Sequence, residues 1–318
     1  MVSIPNNLDN VLEYGDPQLL ATGFQFTEGP LWEPPTAEHP SGAIYISDVD
    51  TSTHYLIDAR TGEKTVVRMD DGGANGATYD LQGRVVWCEQ DLHRVVRREH
   101  DGSWTAIASA YNGVRLNRSN DVVGRSDGSL YFTDPQFLMA PEDRLIGTSS
   151  IFRIDSDGLL HQAATEMNHP NGLAFSPDES LLYVSNTRPD PHMYVYEVAS
   201  DGLLSNGRVF AEMPYIPGKS GEGRTFTNHS GVERPIDERG GVPDGLKTDS
   251  AGRVFGTGPD GCWVWEPSGE LLGVIETPEL PANVAWGGRD FKTLYLTCRT
   301  SVYWVRAKTP GSRIPGMP

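Results

Sequence analysis

The sequence predicts an all-β chain, and within that class a six-bladed β-propeller with four antiparallel strands per blade. Three observations carry this. One β-rich run recurs six times: Ala43 to Asp48 (AIYISD), Arg84 to Glu89 (RVVWCE), Ser129 to Asp134 (SLYFTD), Leu181 to Asn186 (LLYVSN), Arg253 to Gly258 (RVFGTG) and Thr293 to Cys298 (TLYLTC). Their starts lie 41, 45, 52, 72 and 40 residues apart, the period of a propeller blade. Most runs follow Asp/Gly turn chemistry that joins antiparallel strands, as in Asp80-Leu81-Gln82-Gly83, Ser126-Asp127-Gly128 and Asp249-Ser250-Ala251-Gly252. A β-sandwich with irregular strand spacing is the competing architecture, and it leaves the sixfold recurrence unexplained.

Length alone would suggest two domains, but the repeats span the chain, so residues 1–318 are expected to form one propeller domain. Residues 17–26 (PQLLATGFQF) read as a strand that closes the ring against the last blade. The Pro-rich insertion from Glu33 to Pro40 reads as structural. Residues 135–149 form an apolar excursion in which Phe137, Leu138 and Met139 suit a pocket wall as well as a solvent loop. The polar, Gly- and Pro-rich stretch 213–241 is expected to be a long loop insertion, either a lid over one face or a plain surface loop. The tail 309–318 is expected to be flexible.

Composition narrows the function. The formal charge is −17, from 26 basic against 43 acidic residues. Nucleic acid and anionic membrane surfaces both demand a basic face, so neither is expected as a partner. No run approaches the length of a membrane-spanning helix, and the first residues carry no apolar signal core. Cys88, Cys262 and Cys298 are odd in number and far apart, each in a strand-like run, which suits reduced core thiols and a cytoplasmic location.

Aligning the turns ahead of the runs gives one oxygen-bearing side chain per repeat: Glu28, Asn75, Asn120, Asn171, Asp244 and Asn283. From four of these to the centre of the following run the count is 11 or 12 residues (120 to 131, 171 to 183, 244 to 255, 283 to 295). Equivalent positions in a propeller lie on a ring about its axis, so these side chains are expected to face one centre. Two carboxylates and four amides, with no His or Cys, suit a hard cation such as Ca²⁺. Any single Asn-Gly or Asp-Gly is an ordinary turn. Glutamate is a poor turn former, so the turn does not account for Glu28.

At Thr27-Glu28-Gly29-Pro30-Leu31-Trp32, Asn117-Arg118-Ser119-Asn120-Asp121-Val122-Val123, Tyr131-Phe132-Thr133-Asp134-Pro135, His169-Pro170-Asn171-Gly172 and Pro243-Asp244-Gly245 the chain resembles the gluconolactonase/regucalcin (senescence marker protein) family of six-bladed propellers. Diisopropyl-fluorophosphatase is a more distant relative of that family. The resemblance covers nearly the whole chain. It implies a central metal-containing channel in which Glu28, Asn171 and Asp244 hold a divalent metal, with Asn120 as a further ligand or substrate contact. Ca²⁺ is the first expectation; Mg²⁺, Mn²⁺, Zn²⁺ and Fe²⁺ are alternatives. It places Arg118 at a substrate-binding position, and it implies hydrolysis of a small-molecule lactone. Asn75 enters as an inner-ring candidate for substrate binding, and Asp134 as a strand-end aspartate that either faces the channel or caps a turn.

These residues suit ester hydrolysis. A cation polarises the carbonyl, and Asp244 either takes a proton from the attacking water or only positions that water. Two other readings use the same ring. One is hydrolysis of another electrophile, such as an organophosphate or xenobiotic lactone; the other is a calcium-binding propeller with no turnover.

Overall fold

Every recurring run is the second strand of a four-stranded blade, and the oxygen-bearing positions sit at or just before the start of the strand inside it. The computed structural model describes residues 5–13, 16–213 and 241–318, with the backbone of 225–227 and 233–235. Six four-stranded antiparallel sheets form the propeller. Their inner strands are Thr27–Glu33, Ala74–Tyr79, Val122–Gly124, Pro170–Phe175, Leu246–Thr248 and Pro281–Gly287.

The second strands stand out in the sequence because both of their faces are covered. Ala43–Asp48, Val85–Glu89, Leu130–Asp134 and Thr293–Cys298 are buried at every position. Each is squeezed between neighbouring blades, so apolar side chains run continuously rather than alternating. Outer strands such as Lys64–Met69 are largely solvated and carry a weak pattern.

The core is divided into six clusters, one at each blade interface. Trp32, Ile44, Ala285 and Tyr295 join blades six and one; Tyr45, Tyr79 and Trp87 join one and two; Met193, Leu246, Val254 and Trp263 join four and five. Cys88, Cys262 and Cys298 are free thiols buried in this core, as expected.

The ring closes as the sequence suggests. Gln18–Thr22 pairs antiparallel with Ser301–Arg306 and supplies the outer strand of blade six. A circular array of sheets gains from this splice, because it joins the first and last blades by a strand ladder as well as by packing and single hydrogen bonds.

Much of the acidic excess is used in hairpins. Asp80 Oδ1 accepts from the backbone N–H groups of Gln82 and Arg84, and its Oδ2 accepts from Arg84 Nε. Asp249 repeats this device three blades on with Ala251 and Arg253. Side-chain capping of this kind gives the chain a local alternative to extended strand, which is why the turns fall there.

The tail is not free, contrary to the flexible tail expected at 309–318. Gly311 bridges to Asp249, Ser312 N donates to Thr248 O at 3.0 Å, and Ile314 and Met317 pack against the core. Its Gly and Pro residues serve close approach: a Cβ on Gly316, at φ +76°, would lie 1.9 Å from Asp80 O. The tail lies across one end of the central channel and helps to enclose a cavity of about 540 Å³ whose walls come from all six inner strands. The long insertion expected at 213–241, as a lid or a plain surface loop, lies almost wholly outside the described residues.

Candidate active site at the channel floor

Glu28, Asn75 and Asn171 do not sit in turns ahead of strands, as first expected. They are the second residues of inner strands, and the pairing with the next strand slips across Asn75 and Asn171, just after Glu28 and just before Asn283. Each slip is a β-bulge, which rotates the local backbone and aims a side chain off the sheet toward the axis. Asn120 and Asp244 stand two residues ahead of their short inner strands at the equivalent level.

A hydrogen-bonded girdle locks these residues at one level. Ser47 Oγ donates to Asn75 O (3.0 Å), Gly76 N to Asn120 O (2.8 Å), Thr133 Oγ1 to Asn171 O (2.7 Å) and Ser185 Oγ to Asp244 O (2.5 Å). Gly245 N donates to Ala282 O (2.7 Å), and Asn283 Nδ2 to Glu28 Oε2 (2.9 Å). Every blade boundary is crossed once in this series. Such close approach requires the glycine that follows the oxygen donor in four blades. A Cβ on Gly29 would lie 1.8 Å from Asn75 O, and one on Gly245 would lie 1.9 Å from Asn283 Oδ1.

In blade three the position after the donor is Asp121, not glycine. Its carboxylate occupies the space left open by Gly76, where a Cβ would lie 2.0 Å from Asp121 Oδ1. The floor therefore brings a third carboxylate, which the sequence reading missed, to the Glu28 and Asp244 pair. The signal was available in Asn120-Asp121-Val122, where the small residue of the repeat gives way to an acid. Lys247, three residues after Asp244, was also missed; its Nζ lies 3.9 Å from Asp121 Oδ2.

Burial and mutual repulsion set the charge of this cluster. Glu28 is pushed up to about 7, chiefly by burial and further by Asp121, against donated hydrogen bonds from Asn283 and Gly29. Asp244 is raised well above the usual carboxylate range by burial, then by Glu28 and Asp121, with the Asn171 amide opposing. Asp121 is raised by burial, with Lys247 the largest opposing influence. Asn171 Nδ2 donates to Thr187 Oγ1 (3.0 Å), which donates to Pro243 O (3.0 Å), so Thr187 orients the amide.

This donor set fits a divalent cation. Glu28 and Asp244 face one centre and repel each other there, and Asn75 Oδ1 is a buried acceptor with no hydrogen-bond partner. No group of three or more His, Cys, Asp or Glu side chains makes a ligand cluster among the described residues. The fit therefore depends on amide oxygens joining two carboxylates, a hard, oxygen-only set.

Of two expected substrate contacts, one is turned into the core and the other is held at the rim by an ion pair. Asp134 does not face the channel. It ends the second strand of blade three, fully buried, where Oδ2 accepts from Asn117 N (2.8 Å) and Oδ1 from Ser119 Oγ (3.0 Å). It braces the loop that carries Arg118 and Asn120, and the reason is strand parity: its neighbour Thr133 is the residue that reaches the girdle. Arg118 lies at the rim and pairs with Asp91, with its side chain 18% exposed. In the apolar excursion Met139 is buried, Leu138 is exposed, and Phe137 meets His169 edge-on at 5.5 Å.

Residues 26–300 match the family described as SMP-30/Gluconolactonase/LRE-like region. A gluconolactonase of Zymomonas mobilis is 27% identical over 96% of this chain and 85% of its own length. A gluconolactonase structure from Xanthomonas campestris superposes with a TM-score of 0.79 at 27% identity, covering 96% of this chain and 95% of that one. Regucalcin from Agrobacterium tumefaciens, described as calcium-binding, shares the fold at a TM-score of 0.73 and 17% identity over 96% of this chain and 98% of its own.

Proposed function

The chain belongs to the SMP-30/Gluconolactonase/LRE-like family and is a lactone hydrolase by that kinship, and on that premise we propose that it opens a sugar lactone on a divalent cation held by Glu28, Asn171 and Asp244. The observation that carries this reading is the girdled floor, where two carboxylates with raised proton affinity and oriented amides converge on the propeller axis. Gluconolactonases stand among the relatives, which makes an aldonolactone the substrate class.

A divalent cation bound there supplies a Lewis acid for the ester carbonyl. The rest is work for the chain's own side chains. Asp244, through a carboxylate oxygen that does not hold the cation, takes a proton from water as the water oxygen bonds to the carbonyl carbon. The ring C–O bond then breaks, and the same proton returns to the departing alkoxide oxygen. Asn120, held by its N–H to Thr133 O at 2.8 Å, hydrogen-bonds a ring hydroxyl. Arg118 offers its fork of donors to a second hydroxyl when it swings from Asp91.

The test is a pH-based lactone panel on metal-stripped protein given back Ca²⁺, Mg²⁺, Mn²⁺ or Zn²⁺ one at a time. Turnover of aldonolactones should vanish with the chelator and return with one or more cations. Asp244→Asn should lower kcat/KM by about 100-fold or more. Full activity in the chelated protein would sink the proposal.

A further inference from the structure

Three carboxylates meet at the floor, yet Glu28 and Asp244 account for only two of them. Asp121 hangs from blade three with its side chain 1% exposed. Its Oδ1 accepts from Val122 N at 2.8 Å, while Oδ2 has no hydrogen-bond partner. Lys247 Nζ lies 3.9 Å from that oxygen, on the inner strand of blade five, on the far side of blade four. Lys247 Nζ is steadied by donating to Leu246 O at 2.9 Å. Among the described residues, Lys247 is the one cation found in an ion pair with a floor carboxylate.

We propose that Lys247 is the floor's internal counter-ion, a positioning residue that pairs with Asp121 across the channel and sets the charge a bound cation must balance. With all three carboxylates ionised, as ligation of a cation requires, three carboxylates against one ammonium leave two negative charges. A divalent cation makes the buried cluster neutral, whereas a monovalent ion leaves it negative. Uncompensated charge in a site of low dielectric is costly, so this balance selects the valence of the ion as the ligand geometry cannot. Lys247 also lines the tail-enclosed cavity, so its ammonium acts on the floor from the cavity side and takes no ligand position. This inference deepens the metal reading of the floor and rests on it.

The experiment is a double-mutant cycle read by calorimetric titration of metal-stripped protein with CaCl₂ and MnCl₂, using wild type, Asp121→Asn, Lys247→Met and the double variant. Asp121→Asn leaves one negative charge and should weaken binding by about 10-fold or more. Lys247→Met should shift affinity the other way, toward tighter binding. The double variant should return to within about threefold of wild type. Singles that shift affinity in the same direction, or a double variant that stays more than about threefold from wild type, would overturn the proposal. Urea unfolding of the four metal-free proteins gives a second cycle. There each single variant leaves a partner unpaired, so the double should lose less stability than the two singles together. If wild type binds no divalent cation, the metal reading fails, and additivity in the unfolding cycle would reject the Lys247–Asp121 coupling on its own.

Discussion

Asn283 donates its amide to Glu28 across 2.9 Å, joining the inner strand of the sixth blade to that of the first at the level of the site. The ring is thus closed at its rim by the strand Gln18–Thr22 and at the level of the site by this hydrogen bond. Closure and site assembly share a residue.

Removing that amide should therefore affect both. Asn283→Ala leaves Glu28 Oε2 with only the Gly29 N–H, at 2.8 Å. A buried charged acceptor stripped of a donor costs about 1–3 kcal/mol. Urea denaturation should show that loss, and Ca²⁺ titration should show weaker binding. Unchanged stability with unchanged cation affinity would mean that the bond contributes to neither.

Gly245 tests the close packing of the floor. A Cβ there would lie 1.9 Å from Asn283 Oδ1, so Gly245→Ala must push the amide away from Glu28. Overpacking of this kind costs about 1–3 kcal/mol. The variant should lose cation affinity by more than its loss of thermal stability explains, as measured by calorimetry beside a melting curve. Wild-type affinity in a folded Gly245→Ala protein would contradict the girdle.

Asp134 yields a pH signature. Burial raises its pKa from 3.8 to about 7, against hydrogen bonds from Asn117 and Ser119. The folded state then holds a proton that the unfolded state has released. Its contribution to stability is full below the unfolded value and is lost as pH rises through the folded one. Unfolding free energy measured in urea should thus fall between pH 4 and pH 7, and Asp134→Asn should flatten that slope by up to about one proton. The same variant should raise KM by loosening the loop of Arg118 and Asn120. An identical slope in wild type and variant would remove Asp134 as its source.

The tail offers a test away from the chemistry. Gly316→Val should lift the last residues from Asp80 and expose Ile314 and Met317, at a cost of about 1–3 kcal/mol. Limited proteolysis should then clip the tail while lactone turnover persists, because the tail closes the opposite end of the channel from the carboxylates. Loss of turnover with an intact fold would show that the enclosed cavity serves the reaction.

Much of this was legible before any coordinates. Second strands buried on both faces write themselves as continuous apolar runs, and six of them at blade spacing leave one architecture. Glu28, Asn171 and Asp244 were legible because equivalent repeat positions share a level around an axis. Asp134 stayed open between channel and turn because its orientation depends on strand parity beside Thr133, a matter of one residue. The tail was misread because Gly and Pro signal freedom locally, whereas Gly311 and Gly316 are small so that the backbone can lie against the propeller.

The sequence by itself determined the repeat, the strand that closes the ring and the oxygen-only character of the site, because each depends on spacing and residue type along the chain. Only the tertiary structure decided that Asp121 joins Glu28 and Asp244, and that Lys247 on blade five answers Asp121 on blade three. Those two residues are separated by 126 positions in sequence and by 3.9 Å between charged atoms. No local pattern encodes that distance; it exists because six inner strands, packed glycine against carbonyl, bring their charged side chains into one space.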